Sequence, residues 1–303
     1  MADNVVNYAT KFEKTLKQKY TQELKTTDLT TPVGSQGLRF GDAKHIKIPY
    51  LNVGGYKDHG RAGGFNRQAV ENEWMEKALA FDRDVEFFVD VMDVEETNQV
   101  LAAANLTNTF LTEQAIPETD CYRISKLYAD FVSLGGVADT VAITAANILS
   151  KFDDLMEALD EDQVPEEGRM VYATPAIHKI LKSAQGISRS VKNGEKAIAR
   201  EVTRLDDVNI VKVPSARMKT AYNFTDGCVP GTTAGQINML LLHPSAVIAA
   251  DRHAYIKLWP PGTHTTGDGY LYQNRKYGDL FVIDTRVKAI KANITPYTPP
   301  SQG

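Results

Sequence analysis

Alternation and helical spacing divide most of the chain into elements. From Phe81 the apolar positions Val85, Phe87, Val89 and Val91 alternate with Glu86, Asp90 and Asp93, broken only by Phe88. A period of two is expected of a half-buried strand, with Asp82, Asp84, Glu86, Asp90 and Asp93 on its solvent face. Asp93 followed three residues later by Glu96 is a capping-box variant, so a helix is expected to start there. It runs to Ala115, about 23 residues and roughly 35 Å, because Pro117 pushes Ile116 out of helical geometry. Its apolar stripe of Val94, Leu101, Ala104 and Leu111 is thin, as suits a helix lying across a surface. Pro117 then opens a second helix, with Ile124, Leu127, Tyr128 and Phe131 at helical spacing and Gly135 and Gly136 as its stop.

Upstream, Tyr8, Phe12, Leu16 and Tyr20 fall on one stripe of a short amphipathic helix that ends near Leu24. That stripe suits packing on a neighbour and equally suits docking on the chain's own core. IKIPYLNV has the pattern of a strand. GGYKDHGRAGGFNR then places five glycines among basic and polar residues before the return through Trp74 to Phe81. No GxxxxGKS or GxGxxG context surrounds these glycines, so a long hairpin with an exposed tip fits better than a phosphate cradle. Two strands alone are marginal in water, so a projecting hairpin implies a partner.

Downstream the elements alternate, which predicts an α/β-like layer within an α+β chain of two modules. A helix is expected from Val137 through Ala145, Ile148, Leu149, Phe152, Leu155 and Leu159. A strand at 169–173, a helix entered through Thr174 and Pro175 and running to Ala184, a basic loop, a strand at 208–213 and another over QINMLLLH follow. AVIAADRHAYIKLW fits a short helix or an extended run. LFVIDTRVKAIKA, residues 280–292, alternates like one long strand that returns to the first, and the tail ITPYTPPSQG is too proline-rich to continue it.

At 303 residues the chain can bury one large or two moderate cores. A net charge of −4 argues against a broad face that grips nucleic acid. Eight carboxylates crowd residues 153–167, and seven basic residues face two acidic ones over 179–204; solvated faces are the simplest account. Cys121 and Cys228 are too few for a disulfide framework and too far apart for a metal knuckle, which predicts free thiols in a reducing compartment. The start has no signal-peptide core and no run has membrane-spanning length. The six histidines form no HxH or HExxH pair, and no GxSxG elbow exists. Asp251, Arg252 and His253 are adjacent, so they share no face for acid–base work. No catalytic, cofactor-binding or metal-ligating residue is assigned, and no cofactor is expected.

An arm, a hairpin, a surface-lying helix, an α/β-like domain and a returning strand, without catalytic residues, are the parts of a shell subunit. DRDVEFFVDVMDVEET followed by IPETDCYRISKL resembles a segment of the major capsid proteins of tailed bacteriophages that infect Gram-positive bacteria. MVYATPAIHKIL and LLLHPSAVIAADRHAYIKLWPP are similar to the same family, so the likeness covers most of residues 40 to 292. The resemblance implies the Hong Kong 97-like fold. Residues 1–45 would be the N-terminal arm, 46–80 the extended loop, 81–136 with 266–303 the peripheral domain with its spine helix, and 137–265 the axial domain. It also implies a homo-oligomeric shell of hexamers and pentamers, assembled in the host cytoplasm and carried in the virion. Double-stranded DNA would be enclosed without sequence-specific binding, and no membrane would take part.

A portal, possible decoration proteins and, since the chain shows no assembly-guiding segment, a separate scaffolding protein would be partners. Tyr56, Lys57, Asp58, Arg61 and Arg67 at the loop tip, and Tyr8, Phe12, Leu16 and Tyr20 in the arm, are the expected contacts between subunits. Some members weld their shells through a loop lysine and an asparagine near a neighbour's C-terminus. Lys57 and Asn293 occupy such places, but no catalytic glutamate is identifiable and non-covalent locking is expected. A nanocompartment shell of the same fold and a soluble α/β enzyme are the alternatives; the second would require a pocket with perturbed acids.

Overall fold

A computed structural model describes residues 23–30, 39–40, 44–59, 66–96, 103–184 and 204–298. Strands β1 (Arg39–Phe40), β2 (His45–Val53) and β3 (Val70–Ala78) form an antiparallel sheet in which β2 and β3 pair along their whole length. Strand β4 (Phe81–Val89) leads to helices α1 (Val91–Glu96), α2 (Ala103–Phe110) and α3 (Ile116–Ser133). Helix α4 (Ile148–Glu161), strand β5 (Met170–Ala173) and helix α5 (Pro175–Ser183) follow. The remaining strands are β6 (Arg204–Leu205), β7 (Val208–Lys212), β8 (Tyr222–Asn223), β9 (Val229–Pro230), β10 (Gln236–Leu242), β11 (Val247–Trp259), β12 (Tyr270–Val282) and β13 (Ile290–Thr295).

A five-stranded sheet in the order β13-β10-β5-β7-β6 forms the centre, with β5 and β7 parallel and the other pairs antiparallel. Its inner strands β5 and β10 are largely apolar on both faces because both are covered. Val171, Ala173, Met239 and Leu241 pack against Ile148, Phe152 and Leu159 of α4 and Ile177 and Leu181 of α5. The alternate residues Met170, Tyr172, Leu240 and Leu242 pack with Ile124, Leu127 and Phe131 of α3. A second sheet, β11-β12-β4, enters this core only at its inner end, through Val247, Ala249, Leu280 and Val282. Its outer half projects beyond that core, and β11 is mostly exposed from Asp251 onward.

Several expected boundaries move. Helix α1 begins at Val91, two residues early, because the Asp90 carboxylate accepts from the Met92 amide at 2.8 Å and does the capping expected of Asp93. Pro117 does not break the rod. A proline lacks an amide and crowds the carbonyl four residues back, and here Leu111–Ala115 is wound as a π-helical turn. The Ile116 amide reaches the Leu111 carbonyl five residues back, so α2, this turn and α3 run on as one continuous helix. That helix does end at the glycines: Gly135 has φ +87°, and the Gly136 amide donates to the Phe131 carbonyl at 2.9 Å.

Residues 137–147 are not helical. Asn147 closes a turn there, accepting from the Thr144 amide at 2.7 Å and donating to the Ala142 carbonyl at 3.0 Å, and α4 starts at Ile148. The single strand expected over 280–292 is two strands joined by a 3-10 helix, Asp284–Ala289. β12 pairs with β4, whereas the last strand, β13, pairs with β10 in the other sheet. The run AVIAADRHAYIKLW is extended, as β11, with a bulge between Asp251 and His253.

Candidate assembly surface

The β2–β3 hairpin is rooted in the body and bare beyond its root. Ile46 and Leu79 are buried with Ile248, Ala250 and Phe281, the Leu79 amide donates to the Lys44 carbonyl at 2.7 Å, and Lys77 meets Asp284 at 3.2 Å. Further out, the register sets Pro49 opposite Trp74, Leu51 opposite Asn72 and Val53 opposite Val70. Residues directly opposite one another, and residues two apart, share a face. One face of the ribbon is therefore apolar at Pro49, Leu51, Val53, Val70 and Trp74. Leu51, Val53 and Val70 are 64%, 62% and 65% exposed and Trp74 is 46% exposed. The other face carries Glu71 and Glu73, both exposed.

At the tip, Asn66 donates to the Asp58 carbonyl at 2.9 Å and Gln68 to the Gly55 carbonyl at 3.1 Å, so side-chain amides brace the turn. Tyr56, Lys57, Asp58 and Arg67 are all exposed there. Arg61 and the arm residues Tyr8, Phe12, Leu16 and Tyr20 lie outside the described residues. Sequence reasoning weighed the charged tip and passed over the apolar face behind it. Its signal was present in the period of two of Leu51 and Val53 and in Trp74 on the return strand.

A groove of about 670 Å³ lies between the outer half of the β11-β12-β4 sheet and the long helix. Val85, Phe87 and Ile256 line it from the sheet, Phe110, Leu111 and Ile116 from the helix, and Thr225, Asp226 and Gly227 from the loop between β8 and β9. Ile256 is 57% exposed. Glu118 pairs with Arg83 at 2.6 Å and Asp82 with Arg275 at 2.6 Å. The hydrogen bond from Arg275 holds the Asp82 carboxyl below the usual carboxylate range. Acids tied to arginines in this way suit recognition rather than proton transfer. Among the described residues no three His, Cys, Asp or Glu side chains gather at metal-binding distances.

The helix that walls this groove is fixed from behind by a buried polar hub. Asp120, with no exposed surface, accepts from the Lys25 amide at 3.1 Å, the Thr26 amide at 3.1 Å, the Thr26 hydroxyl at 2.9 Å and Arg217 at 2.8 Å. One turn on, Arg123 donates to the Thr26 carbonyl and the Thr30 hydroxyl and pairs with Asp251 at 3.2 Å. Asp251 is thus part of a structural network and not of an acid–base set. His243 and His264 are likewise held by local bonds, to Ser245 and the Glu167 carbonyl and to the Gly269 carbonyl. Asn293 is only 1% exposed. It donates to Asp139 and the Val141 carbonyl and accepts from Asn238.

The fold has counterparts among solved bacteriophage structures. One from Mycobacterium phage Che8 is similar over 97% of this chain and 98% of that one, with TM-score 0.63 and 14% identity. The mature capsid of bacteriophage PhiM1 is similar over 95% and 91%, with TM-score 0.67 and 13% identity. The capsid of the Cyanophage P-SCSP1u is similar over 97% and 93%, with TM-score 0.63 and 13% identity. No family model matches the sequence, and no curated protein does. At such identities the likeness is one of fold: the chain has the mixed α+β fold found in bacteriophage capsid structures.

Proposed function

We propose that this chain is the major capsid protein of a tailed bacteriophage, of the Hong Kong 97-like type expected for a Gram-positive host. Copies of it close into the icosahedral shell around the genome. The observation that carries the reading is the hairpin: a ribbon rooted by Ile46 and Leu79 that holds Leu51, Val53 and Val70 out in solvent on one face. An isolated protein gains nothing from such a ribbon, whereas a neighbouring subunit would bury it. The groove between sheet and long helix, lined by both apolar and charged side chains, is the surface proposed to receive it. Lys57 and Arg61 at the tip would then meet carboxylates of the adjacent subunit.

Within this reading residues 1–45 serve as the arm, 46–80 as the extended loop, 81–136 with 266–303 as the peripheral domain and 137–265 as the axial domain. The subunits form hexamers and pentamers locked without covalent bonds, helped by a separate scaffolding protein and joined by a portal. The near-neutral chain suits a wall that contains double-stranded DNA without holding it tightly. Negative-stain imaging of the expressed protein tests the reading: closed shells of uniform size are expected, and a small oligomer at every concentration tried would overturn it. Shells recovered from infected cells should protect DNA from nuclease; shells that carry protein cargo and no DNA would favour the nanocompartment.

A further inference from the structure

The chain's two cysteines, 107 positions apart in sequence, are brought together by the fold, with their sulfurs 3.2 Å apart. Cys121 is buried on α3, between the Asp120 hub and Tyr122. Cys228 is half-buried immediately before β9. Both backbones are held. Tyr122 stacks on Phe81 at 3.9 Å and meets Phe224 at 5.6 Å, while the β8–β9 ladder and the bond from the Tyr222 hydroxyl to the Ala216 carbonyl fix the other side. A disulfide requires this 3.2 Å contact to close to a bond of about 2.0 Å.

We propose that Cys121 and Cys228 are an oxidation site, a dithiol that a peroxide converts to an intramolecular disulfide. Cys228 is the sulfur an oxidant reaches. The hydrogen bond it receives from Cys121 holds its thiol below the ordinary value, with Arg217 adding to this, and the thiolate is the reactive form. The Cys121 thiol is pushed up by that same bond and by burial, so it stays protonated and acts second. The Cys228 thiolate attacks one peroxide oxygen; an S–O bond forms, the O–O bond breaks, and the departing hydroxide takes up a proton as water. The Cys121 sulfur then attacks the sulfenic sulfur. The S–S bond forms, the S–O bond breaks, and the Cys121 proton leaves with the hydroxide as a second water. Two electrons pass from the thiols to the peroxide.

The link would tie the long helix to the loop at 225–227, which is one wall of the groove. For a particle made in a reducing cell and released from it, oxidation would fix that wall after assembly, a consequence that rests on the shell reading. The chemistry does not rest on it and is tested on the full-length protein in any oligomeric state. Reduced protein is treated with hydrogen peroxide, quenched with a thiol alkylator and weighed. The expected product has lost about 2 Da, takes no alkyl group, yields a Cys121–Cys228 linked peptide, and is restored by dithiothreitol. Cys121→Ser should stop at a sulfenic acid on Cys228 that dimedone traps, and Cys228→Ser should leave Cys121 reduced. Two alkylated thiols after peroxide, or a disulfide between chains on non-reducing electrophoresis, would overturn the proposal, whether or not shells form.

Discussion

At the scale of single residues, the largest sensitivities lie in buried polar groups that no sequence motif marks. Asp120→Ala removes the acceptor of two backbone amides, a hydroxyl and the Arg217 guanidinium, whose side chain is 7% exposed. Breaking a buried pair on one side costs about 3–5 kcal/mol, and denaturant melts of the variant should show a loss of that order. Lys288→Ala is the contrast. Its bond to Asp162 is made by a lysine side chain 72% exposed, so stability should change by less than about 0.5 kcal/mol. The difference is invisible in the sequence, where both are lone charged residues. Asp120 and Arg217 stand 97 positions apart, and only the fold makes them partners. The exposed tip residues were legible because glycine and charge announce a turn locally.

At the scale of elements, the period of two located β4, helical spacing located α5, and short apolar runs located β5 and β10, because each of those segments buries apolar side chains. These signals failed where a local exception keeps the pattern intact. The π turn at 111–115 absorbs Pro117 without altering the apolar spacing, and the 3-10 helix at 284–289 sits between two strands that are both buried. The ends of elements also carry a pH dependence. Helix α4 finishes with Asp160, Glu161 and Asp162 at the negative end of its dipole, an unfavourable placement on its own. Arg169 meets Asp160 at 2.6 Å, and Lys291 and Lys288 meet Asp162 at 2.8 and 2.9 Å.

Hydrogen bonds from Lys291 and then Lys288 hold the Asp162 carboxyl below its ordinary value. For Asp139, burial pushes upward but is outweighed by bonds from the Val141 amide, Asn293 and Lys151. Folded values lowered in this way contribute stability that is present above the unfolded value of about 4 and lost as pH falls through the folded one. Denaturant midpoints should therefore drop between about pH 5 and about pH 2, with a shallower drop in Asp162→Asn. An equal drop in that variant would assign the acid lability elsewhere.

At the scale of the whole molecule, the question is whether the hairpin can hold two subunits together by itself. Burying the exposed parts of Leu51, Val53, Val70 and Trp74 is worth about 1–2 kcal/mol each, so about 4–8 kcal/mol together. Bringing two proteins together costs an estimated ~4–15 kcal/mol in lost freedom and side-chain ordering. One hairpin contact therefore yields no stable dimer, and a closed ring in which each subunit both gives and receives a hairpin adds contacts without paying that cost anew for each. Light scattering against concentration should accordingly show monomer and shell with few intermediates, and a threshold below which shells are absent. Replacing Leu51, Val53 and Val70 together by Ser removes most of the apolar face while leaving Ile46 and Leu79 in place. The monomer should keep its circular dichroism spectrum and its melting midpoint, and the threshold should rise at least tenfold, about 1.4 kcal/mol per contact. Charge at the tip acts differently: Lys57→Glu with Arg61→Glu should lower shell yield at low salt and matter less as salt screens the contact. If the Ser variant assembled at the original threshold while the charge variant failed, the tip and not the ribbon would be the lock.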